Sequence, residues 1–267
     1  MTMIPPSKAQ LQYLRTKKHE KILIWFFRVA IFLAFLILWE TAADRGWIDS
    51  FIFCSPSIIA GTFYDMCLNQ SLFTHIGITL WETIASFFFV VLFGLGIAVL
   101  LWIFPKLSKI LEPYLVVLNS LPKSALAPLL IVWLGANQKT IIVAGISVAI
   151  FGSIINLYTG FHEIDKDKIK LIATLGGTKL DTLLKVVLPS SIPLILSVMK
   201  VNIGLCLVGV IIGEFIGARQ GLGYLIIYGS QVFKLSWVLM SIVILCIIAM
   251  ALYSLINLAE RRYLNKK

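Results

Sequence analysis

Lys170-Leu-Ile-Ala-Thr-Leu-Gly-Gly177, followed after eight intervening residues by Val186-Val-Leu-Pro189, is a short amphipathic insert between two long apolar runs. Its surroundings decide how it is read. Hydrophobic residues make up 59% of the 267-residue chain and charged ones 13%, against roughly 25% charged in soluble domains. Mean hydropathy is +0.95. These values put the chain in a membrane, where a charged insert between apolar runs lies in water and is available to a soluble partner.

Working outward, a helix needs about 20 mostly apolar residues to cross a hydrocarbon core roughly 30 Å thick. Residues 83–104, 140–161 and 235–259 contain no Asp, Glu, Lys or Arg and are long enough to cross with some tilt. Three further runs carry one or two charges: 22–42 with Arg28 and Glu40, 111–134 with Glu112 and Lys123, and 192–213 with Lys200. The expectation is an all-α membrane protein of six transmembrane helices. An N-terminal tail occupies 1–21, the first span 22–42 and a surface segment 43–70. A main domain covers 71–262, with spans at about 80–104, 111–134, 140–161, 192–213 and 235–259 and the insert at 162–189, and a tail covers 263–267. The first apolar run exceeds a signal-peptide core of about 7 to 15 residues, so it is expected to remain as a span.

Basic residues set the orientation, because cytoplasmic segments hold an excess of Lys and Arg. Sixteen flank the spans on the side of the insert and both termini, among them Lys166, Lys168, Lys170, Arg261, Lys266 and Lys267. The other side has Arg45, Lys139, Arg219 and Lys234. Both termini and the insert are therefore expected in the cytoplasm, in a multi-pass protein of the cell membrane. The net charge of +10 is explained by this topology and by contact with anionic lipid, and calls for no nucleic acid. Cys206 and Cys246 fall inside spans as small apolar residues. Cys54 and Cys67 share the external segment, where an oxidising compartment would allow them to pair.

Local signals refine the picture. Ser55 before Pro56 reads as an N-cap followed by proline at the first helical position, predicting a helix over 56–68. The third span holds Pro122 and Pro128, each lacking an amide proton and so freeing the carbonyls of Leu118 and Ser124. Polar backbone at membrane depth is tolerated against protein or a wet cavity, and here it comes with Asn119, Ser120, Lys123 and Ser124. A broken polar helix near the midplane marks Asn119, Pro122 and Lys123 as candidate path-lining groups. The other reading is a kinked helix packed inside a bundle, with Lys123 reaching toward an interface.

Catalytic constellations are missing from the sequence. It has no phosphate-binding G-x-x-x-x-G-K-[ST] loop, no H-E-x-x-H, no G-x-S-x-G and no Cys/His cluster at metal-ligand spacing, and His19, His75 and His162 are scattered. No catalytic residue, metal or cofactor is expected on this chain, which disfavours a membrane-embedded enzyme. Energy for uphill transport would come from a partner or an ion gradient. A self-sufficient secondary carrier or channel is the alternative, thinly supported because Glu112 and Glu214 lie near span ends. Glu214 also reads as a helix-end carboxylate bonded to amides of the nearby glycine-rich turn.

Within the insert, Asp165 or Asp167 can serve the positive N-terminus of a first helix with apolar positions Ile169, Ile172, Ala173 and Leu175. Gly176 and Gly177 stop it. Thr178 and Asp181 have capping-box spacing and start a second short helix with a stripe of Leu180, Leu183, Leu184 and Val187. Pro189 and Pro193 mark re-entry into the membrane. Such a pattern suits either the lipid surface or a groove on a soluble ATPase.

Gly176, with Pro189 thirteen positions on inside Gly-Gly-(eight residues)-Val186-Val-Leu-Pro, resembles the cytoplasmic loop of type I ABC importer permeases, E-A-A-x-x-x-G-A-x(8)-[IV]-x-L-P. The acidic residue of that pattern falls on Lys170 and its alanines on Leu171 and Ile172. Leu121-Pro-Lys-Ser-Ala-Leu-Ala-Pro128 through Trp133-Leu-Gly135, and Gly213-Glu-Phe-Ile-Gly217 with Gly221-Leu-Gly-Tyr224, resemble the nitrate/sulfonate/taurine branch. The resemblance covers about 71–262. It implies two permease copies, two P-loop ATPase subunits that use ATP and Mg, and an external solute-binding protein. Gly176 would be a hinge, with Ile169, Lys170, Ile172, Ala173, Leu175, Gly177 and Pro189 forming the ATPase-coupling loop. Lys200 joins the candidate path because that branch often has a basic residue there, and Glu214 joins it at the other end. Where the branch often has basic residues, this chain has Glu82 and Asn119. That substitution favours a small organic solute, an organosulfonate of the taurine kind or a heterocyclic vitamin precursor, over nitrate.

Overall fold

The structure is a computed structural model and describes residues 8–69 and 71–264. The tail charges Lys266 and Lys267 and the first seven residues lie outside that range. The described residues form helices and no strand, and the chain divides into two compact units, 1–62 and 63–267.

The first unit holds α1 (Lys8–Asp44), α2 (Ser50–Phe53) and the start of α3 (Pro56–Leu68). The proline start of α3 coincides with the sequence signal, but its cap is shared. Ser55 Oγ accepts the Ile58 amide at 3.4 Å, while the Glu40 carboxylate accepts the Ser57 amide at 3.0 Å and its hydroxyl at 2.6 Å. Glu40, an apparent intramembrane charge by sequence, thus sits against the positive end of a helix. Cys54 and Cys67 are both free thiols.

The second unit comprises α4 (Ser71–Ile103), α5 (Pro105–Ser120), α6 (Lys123–Leu134), α7 (Gln138–His162), α8 (Lys166–Thr174), α9 (Lys179–Thr182), α10 (Leu188–Gly217), α11 (Leu222–Gln231) and α12 (Leu235–Leu264). Helices α4, α7 and α10 form its centre. Lipid supplies no hydrophobic drive between apolar helices, so close backbone approach through small residues takes its place. The α7–α10 seam is built that way: a Cβ on Gly209 would stand 2.8 Å from the Gly145 Cα. Asn202 of α10 donates to the Ser153 hydroxyl of α7 at 2.9 Å in the buried interior.

Among the described residues, five helices are long and apolar enough to cross a membrane, and the count is six when the bent pair α5 and α6 is one span. That pair turns through 96° at Leu121 and Pro122, where the sequence shows the first helix-breaking proline. α6 continues through Pro128, so the second proline breaks nothing. Two elements depart from expectation. α11 had no counterpart, because a ten-residue, largely apolar stretch after a glycine turn is too short to register as a span. The second helix of the insert is not separate from the membrane helix. α9 runs through one wide π turn, Leu183–Val187, straight into α10. The physical reason is Pro189, whose ring clashes with the carbonyl four residues back in a regular helix. Widening the preceding turn lets the helix pass it.

Candidate functional site

The insert is rooted at one end and bare at the other. Asp165 caps α8, accepting the Asp167 amide at 2.9 Å. The helix ends in paired reverse bonds, Gly177 N–H to Ile172 O at 2.9 Å and Gly176 N–H to Ala173 O at 3.1 Å. This closure requires a left-handed residue just past the helix, and Gly176 supplies it at φ +76°. The chain restarts through a reciprocal cap. Thr178 Oγ1 accepts the Asp181 amide at 3.2 Å, and the Asp181 carboxylate accepts the Thr178 amide at 3.0 Å. Lys185, 2.8 Å away, and Thr178 hold the Asp181 carboxyl below the usual carboxylate range.

The apolar stripe of the second helix splits in two. Leu183 and Val187 are buried with Ala98 of α4 and Leu157 and Phe161 of α7. Leu180 and Leu184 are exposed. On α8, Ile169 and Ile172 are half-buried, and Ile172 packs so closely over Gly177 that a Cβ there would lie 2.9 Å from its carbonyl oxygen. Leu175 is 75% exposed and Leu171 58%, set among charged Lys166, Asp167 and Lys170. Ala173 and Lys170 are also exposed, and Lys170 pairs loosely with Asp167 at 3.6 Å. Pro189 is half-buried at the start of α10. The outward apolar surface is thus Leu171, Leu175, Leu180 and Leu184. Three of these had no assigned docking role by sequence, because periodicity reveals a stripe without saying which side of it faces the protein.

The candidate path residues fall in three places. At the α5–α6 break, Lys123 donates to the freed Leu118 carbonyl and, at 3.4 Å, to that of Asn119. Its ammonium also stands 5.2 Å from the centre of the Phe151 ring, and the Asn119 side chain faces Gly152. Phe151 and Gly152 lie halfway along α7, so the break sits at mid-height of the bundle, with Pro122 exposed beside it. Lys200 is elsewhere. It forms an ion pair with Glu260 of α12, both side chains largely buried, a partner sixty residues away that no local signal indicates.

Glu214 lies at the end of the unit remote from the insert. It is buried and accepts the Thr79 hydroxyl at 2.7 Å and the Gly223 amide at 2.6 Å. Thr79 in turn accepts the Leu222 amide at 2.8 Å, and His75 Nδ1 accepts that of Gly221 at 2.9 Å. Gly221, at φ +116°, presses against the Glu214 carboxylate so closely that a side chain would collide with it. The sequence reading of Glu214 as a carboxylate bonded to the glycine turn describes this geometry. It did not anticipate Thr79, His75 or the neighbouring Glu82.

Residues 90–267 match the family described as "Binding-protein-dependent transport system inner membrane component". The chain is 25% identical over 262 residues to the putative aliphatic sulfonates transport permease protein SsuC of Bacillus subtilis, covering 97% of this chain and 94% of SsuC. It is 27% identical over 194 residues to the formylaminopyrimidine transport permease protein ThiX of Halalkalibacterium halodurans, covering 72% and 76% respectively. Among solved structures, an inward-facing MetNI methionine ABC transporter chain shares the fold at TM-score 0.63 and 20% identity, over 73% of this chain and 97% of that one.

Proposed function

The chain belongs to the family of binding-protein-dependent transport system inner membrane components, as an ABC importer permease for small solutes, and from that premise we propose how it works and what it carries. Two copies line the path, two P-loop ATPases dock on the 162–189 inserts from the cytoplasm, and an external binding protein delivers the solute. Both termini lie in the cytoplasm. ATP and Mg belong to the ATPases, and the permease contributes no bond chemistry.

One observation carries the coupling role. Two of the bare leucines, Leu180 and Leu184, lie on an unbroken helical path with Leu183 and Val187, which are buried against α4 and α7. Force applied to Leu180 and Leu184 by ATPases closing on ATP has a rigid route into the bundle through α9 and α10, and α8, with Leu171 and Leu175, extends the docking face across the turn at Gly176. Gly176 is the hinge at which α8 pivots. The break at Leu121 and Pro122 is the place where the spanning segment can rearrange beside the path, with Lys123 holding the freed carbonyls. The solute is a small organic molecule, an organosulfonate or a heterocyclic vitamin precursor. The buried acidic groups at the far end support this over an inorganic anion.

Co-purification tests the coupling. The permease is expected to hold a P-loop ATPase through detergent extraction and to lose it on Gly176→Asp or on deletion of residues 164–175. Solute accumulation by the purified permease alone, reconstituted without ATPase, would instead establish a self-sufficient carrier.

A further inference from the structure

Trp39 and Glu40, near the end of α1, hold the chain that follows it at a definite height. The apolar run 22–42 rises about 31 Å at 1.5 Å per residue, the thickness of a hydrocarbon core, so α1 leaves the core close to its last residue, Asp44. The chain does not then run on into water. The Trp47 amide turns back to the Ala42 carbonyl at 2.9 Å, and the Ser50 hydroxyl donates to that of Ala43 at 3.0 Å. Trp39 Nε1 donates to the Phe53 carbonyl at 3.2 Å, and the Glu40 carboxylate accepts the Ser57 amide and hydroxyl. Residues 53–57 therefore lie beside a level of α1 about 7 Å before its end, inside the apolar run.

The side chains at that level are apolar and uncovered. Phe51, Ile52 and Phe53 of α2 are 61%, 51% and 52% exposed, while the inner side of the turn is packed, with Ala42, Ala43, Cys54 and Ser55 buried. No charged residue stands between Asp49 and Asp65. Trp47 is 68% exposed, with the Arg45 guanidinium 5.6 Å from its ring centre, an aromatic plate beside a cation that suits the headgroup layer. In water, three adjacent large apolar side chains form an unfavourable patch. In a leaflet the same surface is buried with gain.

We propose that residues 45–58 form a wedge in the leaflet at the C-terminal end of α1. Phe51, Ile52 and Phe53 enter the upper acyl chains, Trp47 and Arg45 meet the headgroups, and Glu40 turns its charge to the start of α3 and away from lipid. The occupant is phospholipid because these side chains continue the exposed apolar surface of α1, including Ile37 and Leu38, at its own depth. The wedge is separate from the coupling insert and from the solute, and goes beyond the importer reading.

Photolabelling of the wild-type, full-length permease in vesicles of phosphatidylethanolamine and phosphatidylglycerol tests this with three diazirine probes: one on the upper acyl carbons of a phospholipid, one at the end of an acyl chain and one on a water-soluble compound. Mass spectrometry is expected to find the upper-acyl probe on residues 47–53 about tenfold above the water-soluble one, the ratio that burial of one large apolar side chain gives, and the chain-end probe on residues 31–38. Glu40→Ala cuts the tether to α3. Labelling of 47–53 then shifts toward the water-soluble probe, while chain-end labelling of 31–38 persists and reports that α1 is still inserted. Trp39→Phe, which drops one bond, gives a smaller shift and serves where Glu40→Ala does not fold. Residues 47–53 labelled mainly from water, labelled by no probe because a second copy covers them, or labelled alike in the wild type and the variants overturn the proposal.

Discussion

The two ends of the second unit break the ordinary burial rule in opposite directions. At the insert, leucines stand exposed among lysines and aspartates; at the far end, glutamates are buried among helices. Either departure costs stability unless something covers it. Within the far end Thr79 and Gly223 bond Glu214 and Glu82 is buried beside it, and within the insert the chain roots Leu183 and Val187 and leaves Leu171 and Leu175 bare. The insert therefore has a satisfied half that holds its shape and a bare half turned toward something outside the chain, while the far end closes on itself. Substitutions in the satisfied half and at the far end are expected to damage the fold, whereas those in the bare half spare the fold and damage function.

The largest effect is expected at the most crowded satisfied position. Gly221→Val places a branched side chain at φ +116°, where strain alone is severe, and drives it into the Glu214 carboxylate. No monodisperse protein is expected after detergent extraction. Size-exclusion chromatography showing a normal peak would mean that the glycine turn is not fitted around Glu214.

Next is the contrast within the insert. Leu183→Ala empties a fully packed site among Ala98, Leu157 and Phe161 and is expected to destabilise the protein by about 3 kcal/mol, read as a lowered unfolding temperature. Leu171→Ser with Leu175→Ser removes side chains that are mostly exposed, so thermal unfolding is expected to change little while ATPase co-purification is lost. If the exposed pair lowered the unfolding temperature as much as Leu183→Ala, the division between root and knob would be wrong.

How much of this could be read from sequence follows the range of the interactions. The α5–α6 break was visible because a proline removes its own donor, a fact of one residue. The stop at Gly176 and the cap at Thr178 and Asp181 are set within four residues. What stayed hidden depends on how helices pack. Whether Ile172 or Leu171 faces outward depends on where α8 lies over Gly177. The partner of Lys200 has no local signal, because Glu260 is brought against it only by α12. Glu82 and Glu214, 132 positions apart, become neighbours only through the α4–α7–α10 centre, which small residues rather than a sequence motif draw together. The family pattern marked the coupling insert but not which of its faces is bare.

A smaller effect is expected at Thr79. Its hydroxyl donates to Glu214 and accepts from the Leu222 amide, so Thr79→Val keeps the shape and orphans two buried groups. A loss of about 2 kcal/mol is expected. It should appear together with easier detachment of α11, seen as faster amide exchange over 221–225. Unchanged exchange there would show that the far end is held by packing and not by this hydroxyl.

The smallest effect separates hinge from anchor inside the insert. Thr178→Ala removes the hydroxyl that accepts the Asp181 amide and donates to the Asp181 carboxylate, which keeps Lys185 and the backbone amide at 178. Loss of such a cap costs about 1 kcal/mol, and the exposed site limits the cost to that scale. Because α9 is continuous with α10 through the π turn, fraying at Thr178 is expected to stop before the buried pair Leu183 and Val187. Global unfolding should shift little, while amide exchange over 178–182 accelerates about fivefold, the factor that 1 kcal/mol represents. The same variant should weaken coupling more than docking, because ATPases still meet Leu171 and Leu175 but push on a loosened lever. ATPase bound at normal stoichiometry with reduced solute-stimulated hydrolysis would locate transmission at this cap. Normal hydrolysis would place the rigid element further along, at the π turn itself.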